Sequence, residues 1–198
     1  MTEHEAADWL ERTLPGPERL SGRDTAVWLG VRAREIGLSG MCVEVGTWCG
    51  YTALALAFGG PIVACVDTFL ASDSQTGKHA LDRLGDNVLT TLPRFLRRIA
   101  EAPEPVKVVP LIGRSPDVAR AFGPMSLDLV FIDGDHDFEA VVADLVAWST
   151  ALKPGGLCCG HNMGQAGVAD AVTRFLAASG WPVAQDGPDQ LWWSRKPS

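Results

Sequence analysis

The chain has 198 residues, of which 46% are hydrophobic and 21% are charged, the length and composition of one globular domain. A net charge of -7 and an isoelectric point near 5.0 exclude a basic surface that follows a nucleic-acid backbone. Met1 to Asp8 has no signal-peptide pattern and no apolar run reaches the roughly 18 residues of a transmembrane helix, so we expect neither a nucleic-acid nor a membrane partner.

Two helices are predicted ahead of the first strand. Apolar residues recur at helical spacing from Ala6 to Leu14, and Pro15 ends that pattern. A second helix is predicted from about Arg23 to Ile36. After Gly40 the sequence changes to an alternation of strand and helix patterns.

The strands of this alternation are short and continuously apolar, and amphipathic helices separate them. Five strands are predicted: Met41 to Gly46, Pro61 to Asp67, Val106 to Ile112, Leu127 to Asp133 and Gly156 to Gly160. The helices between them are Tyr51 to Phe58, Asn87 to Ala102, Pro116 to Phe122, Phe138 to Leu152 and Val168 to Ser179. This pattern predicts a doubly wound α/β fold with a mostly parallel sheet.

Two further strands are predicted at the end of the chain, Trp181 to Gln185 and Gln190 to Arg195. The turn between them is too short for a parallel crossover, so they form an antiparallel hairpin. Of the five cysteines, Cys42, Cys65, Cys158 and Cys159 lie in apolar strand-like runs. That usage is typical of buried free thiols in a reducing cytoplasm, where we expect the protein to reside.

The first strand runs into a turn bracketed by Gly46 and Gly50, directly before a helix. Such a turn lets backbone approach a ligand, and the helix N-terminus favours a negative group. Trp48 replaces the middle glycine of the G-x-G-x-x-G pattern, which weakens a nicotinamide-dinucleotide interpretation. A plain strand-to-helix turn is the alternative.

Other strand ends also carry polar residues. Asp67 ends the second strand, where a carboxylate accepts hydrogen bonds from ribose hydroxyls, or else caps a loop. Gly113 and Ser115 follow the third strand in a turn suited to hold an adenine edge. For Ser115 the alternative role is that of a helix N-cap. The fourth strand delivers three carboxylates and an imidazole within five residues, Asp133 to Asp137. The carboxylates repel one another unless a cation lies among them.

These motifs resemble a known family. The run from Val43 to Thr52, VEVGTWCGYT, resembles the first motif of class I S-adenosylmethionine-dependent methyltransferases. FIDGDHDFE at Phe131 to Glu139, followed by LKPGG at Leu152 to Gly156, is similar to a branch of bacterial small-molecule O-methyltransferases. That branch includes macrolide-sugar and aminocoumarin-sugar methyltransferases, with catechol O-methyltransferase as a distant relative.

The resemblance implies a seven-stranded Rossmann-like sheet and a set of cofactor contacts. Glu44, Gly46 and Gly50, with the adjacent Thr47, form the methionine pocket, and Asp67 with Thr68 holds the ribose. Gly113 and Ser115 lie against the adenine, and Asp133 faces the sulfonium. Residues 41–198 become the S-adenosylmethionine-binding domain, and residues 1–40 become helices that pack on the core or cover the acceptor site.

Metal-dependent members of the family bind magnesium at the aspartate that matches Asp133. Further ligands come from the end of the fifth strand, here His161 and Asn162 instead of a pair with an aspartate. A divalent metal on Asp133, His161 and Asn162 is left open, with magnesium in doubt and a softer ion an alternative. His136 and Asp135 are the first candidates for the catalytic base, and His161 is the third.

Methyl transfer to a hydroxyl of a sugar or natural product is the predicted activity, and a homodimer is left open. A non-catalytic cofactor-binding domain and a hydroxylase-like relative are alternatives, and a nicotinamide-dependent oxidoreductase is a weaker one. The polar segment from Leu70 to Asp86 is predicted to be a lid or binding loop.

Overall fold

The computed structural model describes residues 1–14, 20–70 and 90–198. Its helices are α1 Glu3–Thr13, α2 Arg23–Ile36, α3 Tyr51–Phe58, α4 Thr91–Glu101, α5 Ser115–Ala119, α6 Phe138–Ala151 and α7 Ala166–Ser179. Its strands are β1 Met41–Val45, β2 Ile62–Asp67, β3 Val108–Ile112, β4 Leu127–Ile132, β5 Leu152–Gly160, β6 Gln185–Asp186 and β7 Trp192–Arg195. A 3₁₀ turn, Pro188–Gln190, precedes β7.

The seven strands form one sheet in the order β3-β2-β1-β4-β5-β7-β6. Strands β1 to β5 are parallel, whereas β7 runs antiparallel to both β5 and β6. The predicted doubly wound fold with a C-terminal antiparallel hairpin is therefore confirmed. Strand order reverses between β1 and β4, and clefts for ligands form at such a switch point.

The first strand of the hairpin is shorter than predicted. It comprises Gln185–Asp186 rather than Trp181 to Gln185. The ring of Trp181 packs edge-on against Phe175 of α7 at 5.6 Å, which holds this segment beside the helix. Pro182 has no backbone N–H to donate to a neighbouring strand. Its carbonyl oxygen accepts a hydrogen bond from the side chain of Ser194 rather than from a backbone N–H.

Each face of the sheet is covered by its own helices because side chains along a strand alternate between the two faces. On one face, Val43 and Val45 of β1 belong to a core that includes Trp148 of α6. On the other face, Cys42 joins a core that includes Phe95 of α4. All five cysteines are free and buried, as the sequence predicts.

The N-terminal helices form a further layer outside α3. Leu10 of α1 and Ala26 of α2 share a buried cluster with Leu54 and Phe58 of α3. Thr2 and Glu5 cap α1 reciprocally through side chain and backbone. Within the part of the chain that the structure describes, no helix has the length and apolar character needed to cross a membrane. The predicted lid segment, apart from Leu70, lies outside the described residues.

Candidate active site

The parallel register brings the strand ends to one edge of the sheet. Val45 of β1 pairs with Val66 on one side and with Ile132 on the other. The same alignment continues outward, since Asp67 pairs with Ile112 and Ile132 pairs with Gly160. The residues that follow these pairs therefore lie side by side: Gly46, Thr68, Gly113, Asp133 and His161.

The turn after β1 lies against the loop after β4. Gly46 has a φ of +87°, and a Cβ atom there would lie 2.2 Å from the carbonyl oxygen of Asp133. Gly50 has a φ of +86°, and a Cβ there would enter the Phe95 ring at 2.2 Å. Both positions therefore require glycine for backbone conformation and for space. Between them, Trp48 has a φ of +53° and a buried indole Nε1 without a hydrogen-bond partner among the described residues.

Glu44 is fully buried beneath this turn, and neither of its carboxyl oxygens has a hydrogen-bond partner among the described residues. Burial raises the pKa of Glu44 to about 8, and the negative charges of Asp133 and Asp67 act in the same direction. The hydroxyls of Thr52 and Thr47 face the carboxyl and oppose that shift, although their geometry falls short of a hydrogen bond. Among the described residues, no cation compensates this buried carboxyl.

Asp67 stabilises two backbone turns at the end of β2. Its Oδ2 accepts a hydrogen bond from the Trp48 N–H at 2.8 Å, and its Oδ1 accepts one from the Phe69 N–H at 2.7 Å. Burial raises the pKa of Asp67, while these backbone donors oppose the shift. The backbone N–H groups of Thr47 and Thr68 also act on this carboxylate. The Thr68 hydroxyl accepts from the Leu70 N–H at 3.3 Å and so belongs to the adjacent turn.

Ser115 is the first residue of α5 and not its N-cap, which is Arg114. The Ser115 hydroxyl accepts a hydrogen bond from Trp148 Nε1 at 2.8 Å, so it contacts α6. Gly113 donates its N–H to the Asp67 carbonyl at 3.0 Å, and a Cβ there would press on Val118 at 2.9 Å. The loop after β3 is therefore attached both to β2 and to α6.

Asp133 lies between two imidazoles. His136 Nε2 is 3.8 Å and His161 Nδ1 is 3.9 Å from Asp133 Oδ1. The other oxygen accepts a hydrogen bond from Ser21 Oγ at 3.4 Å. Ser21 comes directly before α2, so the N-terminal region reaches this carboxylate.

Asp135 and His136 are held differently in the loop before α6. Asp135 Oδ1 accepts the N–H of His136 at 2.8 Å, so this oxygen stabilises the loop. The His136 ring contacts the side-chain amide of Gln165, with 3.1 Å between Nε2 of Gln165 and Nδ1 of His136. This contact fixes the ring through Nδ1, while Nε2 is the atom nearer Asp133.

His161 lies deeper than His136 at the end of β5. Its Nδ1 is 3.1 Å from Asn162 Oδ1, and its Nε2 is buried without a partner among the described residues. Asn162 has a φ of +62°. A cavity of about 10 Å³, close to the minimum for one water molecule, is bordered by His136, His161 and Trp192.

The donor set at Asp133, His161 and Asn162 does not fit magnesium, which prefers oxygen ligands. It contains one carboxylate, and the Asn162 amide oxygen already faces the His161 ring. In the described ranges no group of three or more His, Cys, Asp or Glu side chains is placed to hold a metal ion.

Three polar residues of this region were missed by sequence reasoning. Ser21 contacts Asp133, Gln165 contacts His136, and the buried Asp144 of α6 faces Ser115. Each contact joins positions far apart in the chain, and none of these residues belongs to a strand-end motif. Local spacing carried no signal for them, apart from the polar Asp144 inside the otherwise apolar Val141 to Leu145 stretch.

Comparison with known families agrees with this arrangement. A family model described as a methyltransferase domain matches residues 43–163, which include the turn after β1, the loop after β4 and the end of β5. The chain belongs to this family. It is a class I S-adenosylmethionine-dependent methyltransferase.

Solved structures share the fold of this methyltransferase. The O-methyltransferase TomG of Streptomyces achromogenes, involved in tomaymycin synthesis and in complex with S-adenosylmethionine, superposes with a TM-score of 0.66 at 16% identity, covering 98% of this chain and 90% of TomG. The methyltransferase PaMTH1 of Podospora anserina, bound to S-adenosylhomocysteine, gives 0.63 at 15% identity, with 98% and 87% covered. An O-methyltransferase of Bacillus cereus with S-adenosylhomocysteine gives 0.58 at 15% identity, with 97% and 91% covered.

Proposed function

We propose that this methyltransferase transfers a methyl group to a hydroxyl oxygen of a small molecule, a sugar or another natural product. The observation that carries the proposal is the contact of the Gly46 turn with the Asp133 loop, which sets the His136 imidazole close to the cofactor turn. Two of the three structural neighbours described above are O-methyltransferases, and TomG is involved in tomaymycin synthesis. These descriptions support oxygen as the acceptor atom.

The residues around the β1 turn fit S-adenosylmethionine. The negative charges of Asp133 and Asp67 act on the buried Glu44 carboxyl and add to the effect of burial in raising its pKa. A ligand with an ammonium and a sulfonium group would relieve that repulsion. Bound there, the cofactor supplies a methyl carbon that its sulfonium activates for displacement.

We assign the remaining contacts to the two ends of the cofactor. Glu44, with Gly46, Thr47 and Gly50, would hold the methionine part, where the buried Thr47 hydroxyl has no hydrogen-bond partner among the described residues. Asp67 and Thr68 would hold the ribose, with the Asp67 carboxylate accepting from its hydroxyls. Gly113 and Ser115 would hold the adenine, and Asp133 would face the sulfonium.

We assign the base to His136. Removing the acceptor proton requires a basic atom at the cleft with a lone pair. His136 Nε2 has that lone pair when Nδ1 carries the hydrogen and the Gln165 amide turns its oxygen towards Nδ1. Asp135 supports backbone N–H groups of its own loop, and His161 is buried beside Asn162, which favours His136 among the three candidates. The carboxylate of Asp133, 3.8 Å from His136 Nε2, stabilises the imidazolium that forms when the proton is taken.

The N-terminal helices complete the acceptor side in this proposal. Ser21, immediately before α2, is buried and contacts Asp133, and Thr25 Oγ1 donates to Asp189 Oδ2 at 3.4 Å near the turn before β7. The described part of residues 1–40 would thus pack on the core and border the site. The net charge of -7 favours a small-molecule acceptor over nucleic acid.

The experiment is turnover with S-adenosylmethionine carrying a ¹³C-labelled methyl group, using a panel of phenols and sugars. Methyl groups on oxygen, nitrogen and carbon have distinct carbon shifts, so the product spectrum identifies the acceptor atom. We expect an O-methyl signal together with S-adenosylhomocysteine. A signal only from N-methyl or C-methyl groups contradicts the proposal, and cofactor binding without turnover on any acceptor favours a non-catalytic domain.

A further inference from the structure

The turn before β7 holds two consecutive residues in a strained backbone conformation. Asp189 has a φ of +52° and Gln190 has a φ of +64°, and neither is a glycine. Residues with a Cβ seldom adopt this left-handed conformation, and such strain persists only where the surrounding structure holds it. Two backbone hydrogen bonds close the turn, from Leu191 N–H to the Pro188 carbonyl at 2.9 Å and from Gly187 N–H to the Leu191 carbonyl at 2.7 Å. The two strained residues contact two different parts of the molecule.

Asp189 contacts the start of α2. Its Oδ2 accepts a hydrogen bond from the buried Thr25 hydroxyl at 3.4 Å. The carboxylate also fills the space beside Gly22, the N-cap of α2, where a Cβ would collide with it. A negative group is favourable at a helix N-terminus whose N-cap has no side chain. Asp189 thus holds the backbone that carries Ser21, whose Oγ donates to Asp133 Oδ2 at 3.4 Å.

Gln190 contacts the loop after β5. Its carbonyl oxygen accepts the N–H of Met163 at 3.0 Å, and its side-chain Oε1 occupies the space that a Cβ on Gly164 would need. The next residue, Gln165, has its side-chain amide 3.1 Å from His136 Nδ1. Gln190 thus holds the loop that supports the His136 imidazole.

We propose that Asp189 and Gln190 are positioning residues, and that their turn clamps together the two segments that hold the side chains of Asp133 and His136. The inference rests on the proposed function, in which Asp133 faces the sulfonium and His136 takes the acceptor proton. Each positioning residue acts through the segment that it contacts. Methyl transfer requires the acceptor oxygen to be aligned with the methyl carbon, so loss of the clamp lowers the rate more than the cofactor affinity.

Asp189→Gly separates the contact from the backbone strain. Glycine adopts the positive φ freely, so this variant relieves the backbone while it removes the carboxylate. Because Asp189 is exposed, the substitution leaves the core intact. We expect kcat to fall roughly tenfold, with the Kd of S-adenosylhomocysteine within a few-fold of wild type. Asp189→Asn keeps an oxygen that accepts from Thr25 and tolerates the left-handed conformation, so its kcat should stay near that of wild type.

Met125→Gly is the matched control for strain relief. Met125 has a φ of +53° and is exposed, and it precedes β4, whereas Asp133 follows the other end of that strand. This variant should leave kcat unchanged. A fall in kcat equal to that of Asp189→Gly would show that the effect comes from backbone freedom and would contradict the inference.

A double-mutant cycle decides whether Asp189 acts through Ser21. Ser21→Ala should lower kcat, and Asp189→Gly in that background should cost little more, because the contact that the turn supports is already gone. Additive losses overturn the inference, as does a wild-type kcat in the folded Asp189→Gly protein.

Hydrogen exchange tests the clamp without turnover. Asp189→Gly should speed amide exchange at residues 22–26, and Gln190→Gly should speed it at residues 163–165, whereas Met125→Gly should change neither segment. Unchanged exchange at both segments overturns the inference whatever the activity. A wild-type protein that methylates no acceptor overturns the proposed function instead.

Discussion

Gly46 and Asp133 are in contact through their backbones, at a distance that leaves no room for a side chain. A Cβ on Gly46 would lie 2.2 Å from the Asp133 oxygen and 2.6 Å from the Gly134 Cα. These atoms belong to the main chain, so neither can move aside by changing a rotamer. The turn after β1 and the loop after β4 are thus fixed to one another by this glycine.

Gly46→Ala should separate the two loops and abolish measurable binding of S-adenosylhomocysteine, with a melting temperature lower by several degrees. Part of the cost is the positive φ, roughly 1–2 kcal/mol for a residue with a Cβ. Gly155→Ala is the matched control, because Gly155 has a φ of +74° but open space around its Cβ position. Calorimetry and thermal melts on both variants separate backbone strain from the clash. Equal effects in the two variants would contradict a role for the contact.

Glu44→Gln should stabilise the ligand-free protein increasingly as the pH rises. The pKa of Glu44 is about 8 in the folded protein against an ordinary 4.5, so the folded state favours the protonated form. This preference stabilises the folded protein fully below pH 4.5. The stabilisation falls as the pH rises from 4.5 towards 8, by at most about 1.4 kcal/mol per pH unit. Glutamine does not titrate and avoids that loss.

Urea unfolding of wild type and Glu44→Gln at pH 5, 6.5 and 8 measures this difference. The exposed Glu139, mutated to glutamine, controls for the loss of one negative charge. The free energy of unfolding of Glu44→Gln minus that of wild type should grow between pH 5 and pH 8. A difference that is constant with pH would show that the carboxyl does not titrate as its burial requires.

His136→Ala should lower kcat by about 10²–10⁴-fold and leave the dissociation constant of S-adenosylmethionine within a few-fold of wild type. In the proposed mechanism the imidazole takes the proton of the acceptor and does not bind the cofactor. Asp135→Asn should cost less, since an amide oxygen can still accept the N–H of His136. Steady-state kinetics and calorimetry on both variants decide the order. A loss of kcat confined to Asp135→Asn would reverse the two roles, and activity in both would point to His161.

Removal of divalent metals should affect the activity weakly. Asp133 is the one carboxylate among the three candidate ligands, and each missing anion reduces the attraction for a dication. Activity in the presence of EDTA should therefore stay near that of the untreated protein, with little change when magnesium is restored. Complete loss with EDTA and full recovery at micromolar magnesium would contradict this prediction.

The sequence alone determined the sheet and most of its strand ends. Continuous apolar strands that alternate with amphipathic helices can bury both faces only as a parallel sheet between helices. Because the carboxyl ends of parallel strands meet at one edge, Gly46, Asp67, Gly113 and Asp133 were expected together. The parallel register of β1, β2, β3 and β4 brings those strand ends together.

Tertiary structure decided the contacts that have no local pattern. The 2.2 Å approach of Gly46 to Asp133 follows from how two loops from different strands pack. The spacing of Ser115 predicts a helix N-cap as one of its roles. In the structure its hydroxyl instead accepts a hydrogen bond from Trp148, because α6 packs against α5 there. Hydrogen bonds act over about 3 Å and join whichever side chains packing brings within that reach. A sequence specifies which strand ends meet, and packing alone specifies which side chains there touch.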